Sequence, residues 1–153
     1  MEDISLIIIK PEIIDRFSDI KKSLRKRGYK IIFQKKYNSW RKIAKKLYSE
    51  FSSEEIKTYI VGYDKHKFDD KFIMLIVTCE KGNTVEKLNK DKGNFIDYQS
   101  KNINTLRAEF GLPKRYNLQH GNISFTYCGF HCPQNQEELI RDLNILHLKN
   151  KFI

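Results

Sequence analysis

At 153 residues, 40% hydrophobic and 12% aromatic, the chain can bury a core of its own and has a globular rather than a disordered composition. Lys and Arg outnumber Asp and Glu by 29 to 19, and the net charge of +10 favours anionic partners: nucleotides, nucleic acids or acidic membranes. The lysines are spread along the chain, as on a solvated surface rather than a dedicated nucleic-acid patch, and no run approaches the ~20 apolar residues of a membrane span.

The opening MEDISLIIIK is acidic where a signal peptide would be basic, so no targeting segment is expected, and three cysteines (Cys79, Cys128, Cys132) without a framework pattern suit a reducing, cytoplasmic setting. ISLIIIK reads as a buried strand that stops at Pro11, a residue suited to the first position of a helix. Ile13, Ile14, Phe17, Ile20 and Leu24 then recur at helical spacing, and Gly28 closes that helix. YKIIFQKKYN is a second strand, polar enough in its second half for a sheet edge. SWRKIAKKLYSEF puts Trp40, Ile43, Leu47 and Phe51 on one helical face, and Ser52 with Glu55 forms the capping pattern of a second helix. KFIMLIVTCE is a continuous apolar run, as expected of a central strand. A helix begins between Gly82 and Leu88, a long polar connection follows through residue 104, and NQEELIRDLNILHL forms a last helix. The alternation predicts one α+β domain over residues 1–153. The layout that fits is a ferredoxin-like βαββαβ antiparallel sheet with helices on one face.

Three polar features carry chemistry. Lys10 ends the first strand, where a βα turn commonly meets an anion. Arg107 lies in NTLRAEFG and can grip phosphate oxygens by its fork. His120 follows thirteen residues later in RYNLQHGNIS, with Asn117 three before it, and a neutral imidazole can attack phosphorus.

These residues resemble the nucleoside diphosphate kinases. IIKPE at 8–12 is similar to that family's Ile-Lys-Pro-acid strand end, RAEFG at 107–111 to its Arg-x-acid-Phe segment, and Asn117, His120 and Gly121 stand at the family's intervals after the arginine. The resemblance covers roughly residues 4–122 and resumes in the last helix. It implies ping-pong transfer of a γ-phosphate from a nucleoside triphosphate such as ATP to a nucleoside diphosphate, through a phosphohistidine at His120. By the same resemblance Lys10 contacts the moving phosphoryl group, Tyr48 lies between lysine and histidine, Arg107 binds the distal phosphates, and Asn117 meets the sugar hydroxyl. Gly121 follows the histidine as in the family, and Ile56 falls where the family stacks an aromatic residue on the base. Mg²⁺ arrives with the nucleotide, and a homodimer or larger homo-oligomer is expected, with no membrane partner.

The pattern also departs from the family. Asn122, Ile123 and Ser124 replace Ser-Asp-Ser after His-Gly. Counting back from Arg107 puts Lys90 and Ile96 where the family has its second arginine and a threonine. FTYCGFHCPQ reads as an insertion before the last helix, on which Glu138, or else Glu137, is the candidate for orienting the histidine. The loop SKNINT at 100–105 lacks the Lys-Pro-Gly-Thr turn, and the C-terminal extension is missing, so a dimer is favoured over a hexamer. CGFHC offers three crowded metal-ligand types where a structural zinc needs four, and a packed apolar loop is the simpler reading. A silent kinase-fold module, binding nucleotide or nucleic acid or serving dimerisation, remains the alternative function.

Overall fold

The structure is a computed structural model that describes residues 3–97, 100 and 102–153. Within the long connection, positions 98, 99 and 101, the last of them in the SKNINT loop, lie outside the described residues.

Strand β1 (Ser5–Ile9) is buried along its whole length, because the run SLIII is apolar toward both sides. Pro11 opens a 3-10 turn (Pro11–Arg16) that leads into α1 (Phe17–Lys26), so the α-helix proper begins after the turn rather than at Pro11. β2 (Tyr29–Tyr37) follows, then α2 (Trp40–Leu47) and α3 (Ser53–Lys65). The Ser52–Glu55 capping box is present in both directions and satisfies two of the amides that a helix start leaves free. β3 (Phe72–Cys79), α4 (Thr84–Lys92) and a short α5 (Leu106–Phe110) come next. A β4 (Leu118–His120)–β5 (Ile123–Phe125) hairpin precedes β6 (Phe130–His131), α6 (Gln136–Ile145) and a final turn, α7 (Lys149–Phe152).

The sheet runs β2-β3-β1-β6 and is antiparallel throughout, with the polar β2 at an edge and the apolar β3 inside. This is the expected ferredoxin-like strand set. Its helices, however, pack both faces rather than one. Alternation along β1 and β3 sends Leu6, Ile8, Phe72, Met74 and Ile76 toward Trp40, Tyr63, Leu139 and Leu143. It sends Ile7, Ile9, Ile73, Leu75 and Val77 toward Ile20, Leu24, Leu88 and Leu106. A strand that is apolar on both sides requires a helix layer on each side, which is the physical reason for the second layer.

The fourth strand is the main departure from the sequence-based expectation. FTYCGFHCPQ is no insertion beyond the sheet: it contains β6, which pairs Ile8 with His131 and Ile9 with Phe130. The inserted piece is the β4–β5 hairpin, which forms a separate two-stranded sheet. Burial explains the choice. The slot beside β1 is dry on both faces, and Cys128 to Cys132 are all buried there, whereas Gln119, His120, Gly121 and Asn122 are exposed. Placing LQHGN in the slot would strand two amide side chains without water. Gly129 admits β6: its φ is +85°, and a Cβ there would overlap the Ile13 side chain. Among the described residues no helix is long and apolar enough to cross a membrane.

Candidate active site

Lys10 is the residue after β1, and strand alternation turns its side chain to the Trp40 face of the sheet. It is 5% exposed, with its Nζ 5.4 Å from the Tyr48 ring centre, 5.7 Å from Tyr59 and 5.8 Å from Trp40. An aromatic cup of this kind can hold an ammonium through ring quadrupoles. Behind it, the buried Glu12 accepts hydrogen bonds from the Tyr63 hydroxyl and the Gly129 amide, and the Lys10 amide donates to the Gly129 carbonyl at 2.8 Å. The Lys-Pro-Glu segment is therefore bolted to the chain immediately before β6.

The imidazole that faces this lysine region is His131. Its ring centre is 5.6 Å from that of Tyr48, so Tyr48 neighbours both the lysine and this histidine. The His131 Nε2 is 2.8 Å from Oδ2 of Asp142, a carboxylate on α6 that is fully buried. Oδ1 of the same carboxylate accepts from Arg141 Nη2 at 3.0 Å and Nε at 3.2 Å. Burial pushes the His131 pKa down, the Asp142 hydrogen bond and charge pull it up, and the result lies below the ordinary value. The ring is accordingly neutral near pH 7. With Nε2–H donated to Asp142, Nδ1 carries the lone pair, and it has no hydrogen bond among the described residues.

Two more cations converge here. Arg107 donates from Nη1 to the Gly93 carbonyl and from Nη2 to the Phe130 carbonyl, which ties α5 to the residue before His131. Its Nε is buried and has no partner among the described residues. Lys92, at the end of α4, is 7% exposed and makes no hydrogen bond or ion pair among the described residues. Burial pushes the Lys92 pKa down, Cys132 opposes, and Arg107 and Lys10 add to the depression. A cavity of about 590 Å³ opens on Lys92 and Arg107 and is lined also by Lys90, Phe95, Asp97 and Thr105. Neither Lys92 nor Arg107 forms an ion pair among the described residues, Asp97 in the same cavity being bonded to Asn94 and Thr105 instead, and cations left so favour an anion.

Of the residues singled out from the sequence, Lys10, Tyr48 and Arg107 belong to this cluster, and Lys90 is an exposed residue at the rim of its cavity. The others do not join it. His120 is exposed on β4, in a separate hollow with Glu54, Lys57, Thr58 and Val61 of α3. Gly121, at φ +61°, is the first residue of the two-residue β4–β5 turn, where a glycine is favoured for its backbone freedom. Asn117 closes a short 3-10 turn (Lys114–Tyr116). Ile56 is half-buried against the Trp40 core. Glu138 braces the start of α6, its carboxylate accepting from the Gln134 amide at 2.7 Å while its own amide donates to Asn135. It is the buried Asp142, further along α6, that holds a histidine.

Sequence reading thus missed three residues: His131, Asp142 and Lys92. The usable signal was the run YCGFHC, apolar enough to lie inside the sheet. CGFHC drew notice only as a possible zinc ligand set; among the described residues no group of His, Cys, Asp and Glu could hold a metal ion. Burial pushes the Cys132 thiol up to about 11, with Lys92 opposing, so it stays protonated.

Comparison with known proteins agrees on the fold. The family model described as nucleoside diphosphate kinase matches residues 3–127, which takes in His120 and stops before His131. A search of the curated proteins found no match. Among solved structures, the nucleoside diphosphate kinase of Aquifex aeolicus superposes with a TM-score of 0.69 at 15% identity, covering 94% of each chain. That of Borrelia burgdorferi, a transition-state mimic with bound vanadate and ADP, gives 0.69 at 20% identity, covering 98% of this chain and 89% of its own. The Encephalitozoon cuniculi enzyme gives 0.64 at 17% identity, covering 94% and 88%.

Proposed function

The chain belongs to the nucleoside diphosphate kinase family, and from that premise we propose that it transfers the γ-phosphate of a nucleoside triphosphate to a nucleoside diphosphate through a phosphohistidine at His131, not at His120. The observation that carries the proposal is the 2.8 Å bond from His131 Nε2 to the buried Asp142, which presents a neutral ring beside Lys10 and Tyr48.

In the first half-reaction the Nδ1 lone pair forms a bond to the γ-phosphorus while the bond from that phosphorus to the β-bridging oxygen breaks. The electron pair leaves on the nucleoside diphosphate. Nε2–H stays with Asp142, whose charge offsets the positive charge that develops on the ring. Lys10, Lys92 and Arg107 neutralise phosphate oxygens through both halves. In the second half a terminal oxygen of another nucleoside diphosphate bonds to the phosphorus, and the P–N pair returns to Nδ1. Mg²⁺ would arrive as part of the substrate, held by phosphate oxygens and water, since Asp97 is one carboxylate against Lys90, Lys92 and Arg107 among the residues lining the cavity. The same reading has residues 1–153 working as one domain, in a homodimer or larger homo-oligomer, on free nucleotides in the cytoplasm. Three buried free cysteines suit such a reducing setting.

The test incubates the protein with γ-labelled ATP and Mg²⁺ and follows acid-labile, alkali-stable label. Label should form in the wild type and in His120→Ala, chase onto GDP, and be absent from His131→Ala. Label lost only in His120→Ala would return the nucleophile to the hairpin. Nucleotide bound without any label would favour the silent binding module.

A further inference from the structure

Resting on the reading of the cavity as a nucleotide site, we propose that Phe95 is the residue on which this protein stacks the substrate's base, in place of the α3 position occupied by Ile56.

Phe95 lines the same cavity as Lys90, Lys92 and Arg107 yet is 60% exposed. An aromatic ring left in water beside converging cations matches the two halves of a nucleotide, a π-face and a polyanion. The backbone that carries the ring is also held in place. Asp97 Oδ2 accepts from the Asn94 amide at 2.9 Å and from the Thr105 hydroxyl at 3.2 Å, and the Asp97 amide donates to the Asn94 carbonyl. Arg107 holds the Gly93 carbonyl, and the Thr126 hydroxyl donates to the carbonyl of Phe95 itself at 3.3 Å. A loop tied at each of these points loses little freedom when a ligand lands on it, so its exposed side chain is available at low entropic cost.

The α3 wall, by contrast, is already covered. The inserted hairpin brings Phe125 to 5.2 Å from the Tyr59 ring and 5.5 Å from Phe51, and it buries Leu118. The α3 backbone at Gly62 lies so close to Leu118 and the Tyr127 hydroxyl that a Cβ there would clash with that hydroxyl. Ile56 packs against this same core. The hairpin insertion and the exposed ring therefore belong together: one closes the helix side, and the other, linked to it by Thr126, supplies the replacement. Stacking of this kind is tolerant of base identity, because every base has a π-face.

Calorimetric titration of the full chain with ADP and with inorganic triphosphate, in wild type, Phe95→Ala and Phe95→Trp, tests the assignment. Phe95→Ala should bind ADP roughly tenfold or more weakly, with triphosphate binding unchanged, and Phe95→Trp should retain wild-type ADP affinity. Unchanged ADP binding in Phe95→Ala overturns the inference, as does an equal loss for triphosphate or for Phe95→Trp, since those report a disturbed loop rather than a lost stack. The label experiment is independent: a wild type that binds ADP through Phe95 but takes no label would sink the kinase reading and leave this one standing. A wild type that binds neither ligand overturns both.

Discussion

His131 and Asp142 are joined across two elements: the imidazole Nε2 on β6 lies 2.8 Å from a carboxylate on α6 that is wholly out of solvent. The pair fixes which ring nitrogen carries the proton. It also couples the sheet to α6, where Arg141 occupies the other carboxylate oxygen.

Asp142→Asn tests that coupling. The amide can still hold the ring but no longer supplies the charge that stabilises the developing imidazolium, so label formation should slow by roughly tenfold or more. Stability should fall by about 1–3 kcal/mol, since the Arg141 guanidinium loses its ionic partner. Rapid-quench labelling and urea unfolding read the two effects. A wild-type labelling rate in this variant would count against His131 as the nucleophile.

The pH dependence follows from the depressed histidine. Burial holds the folded His131 below its ordinary value of 6.5 despite Asp142. Phosphorylation at pH 6.5 should therefore still exceed half its neutral-pH rate, and fall below half only at more acid values. For stability the unfolded histidine takes up a proton near 6.5 while the folded one resists. Its contribution is thus complete above 6.5 and is lost as pH falls through the folded pKa. A labelling rate already halved at 6.5 or above would contradict the assignment.

Lys92→Met should separate function from stability. A buried ammonium near two other cations is unfavourable, as its lowered pKa records. Replacing it with an apolar chain of similar length should raise unfolding free energy by about 1 kcal/mol or more. The same change should weaken binding of inorganic triphosphate. Chemical denaturation and titration would reveal both. A variant that is less stable than wild type would mean that Lys92 has a compensating partner.

Glu138→Gln should leave transfer unchanged. Its carboxylate accepts from the Gln134 amide at the start of α6, so the expected cost is about 1 kcal/mol of stability. Slowed label formation without that destabilisation would restore Glu138 as an orienting group.

What the sequence determined by itself was everything set by short-range periodicity and local polar satisfaction. The continuous apolar runs of β1 and β3, the capping box at Ser52, the polar edge of β2 and the Lys-Pro step at the end of β1 all read directly, because each depends on neighbours within a few positions. Lys10 and Arg107 could be selected the same way, whereas Tyr48 came only with the family resemblance. Tertiary structure decided which of two short segments fills the sheet. LQH and FH are both too brief to carry a period, and the His-Gly of residues 120–121 meets the needs of a hairpin tip as readily as those of a phosphate site. The slot beside β1 is dry on both faces and accepts Phe130–His131 only because Asp142, on a helix formed later in the chain, satisfies the imidazole. That pairing is nonlocal, and so is the convergence of Lys92 from α4 with Arg107 from α5. Packing assembled those contacts, and no stretch of sequence contains them.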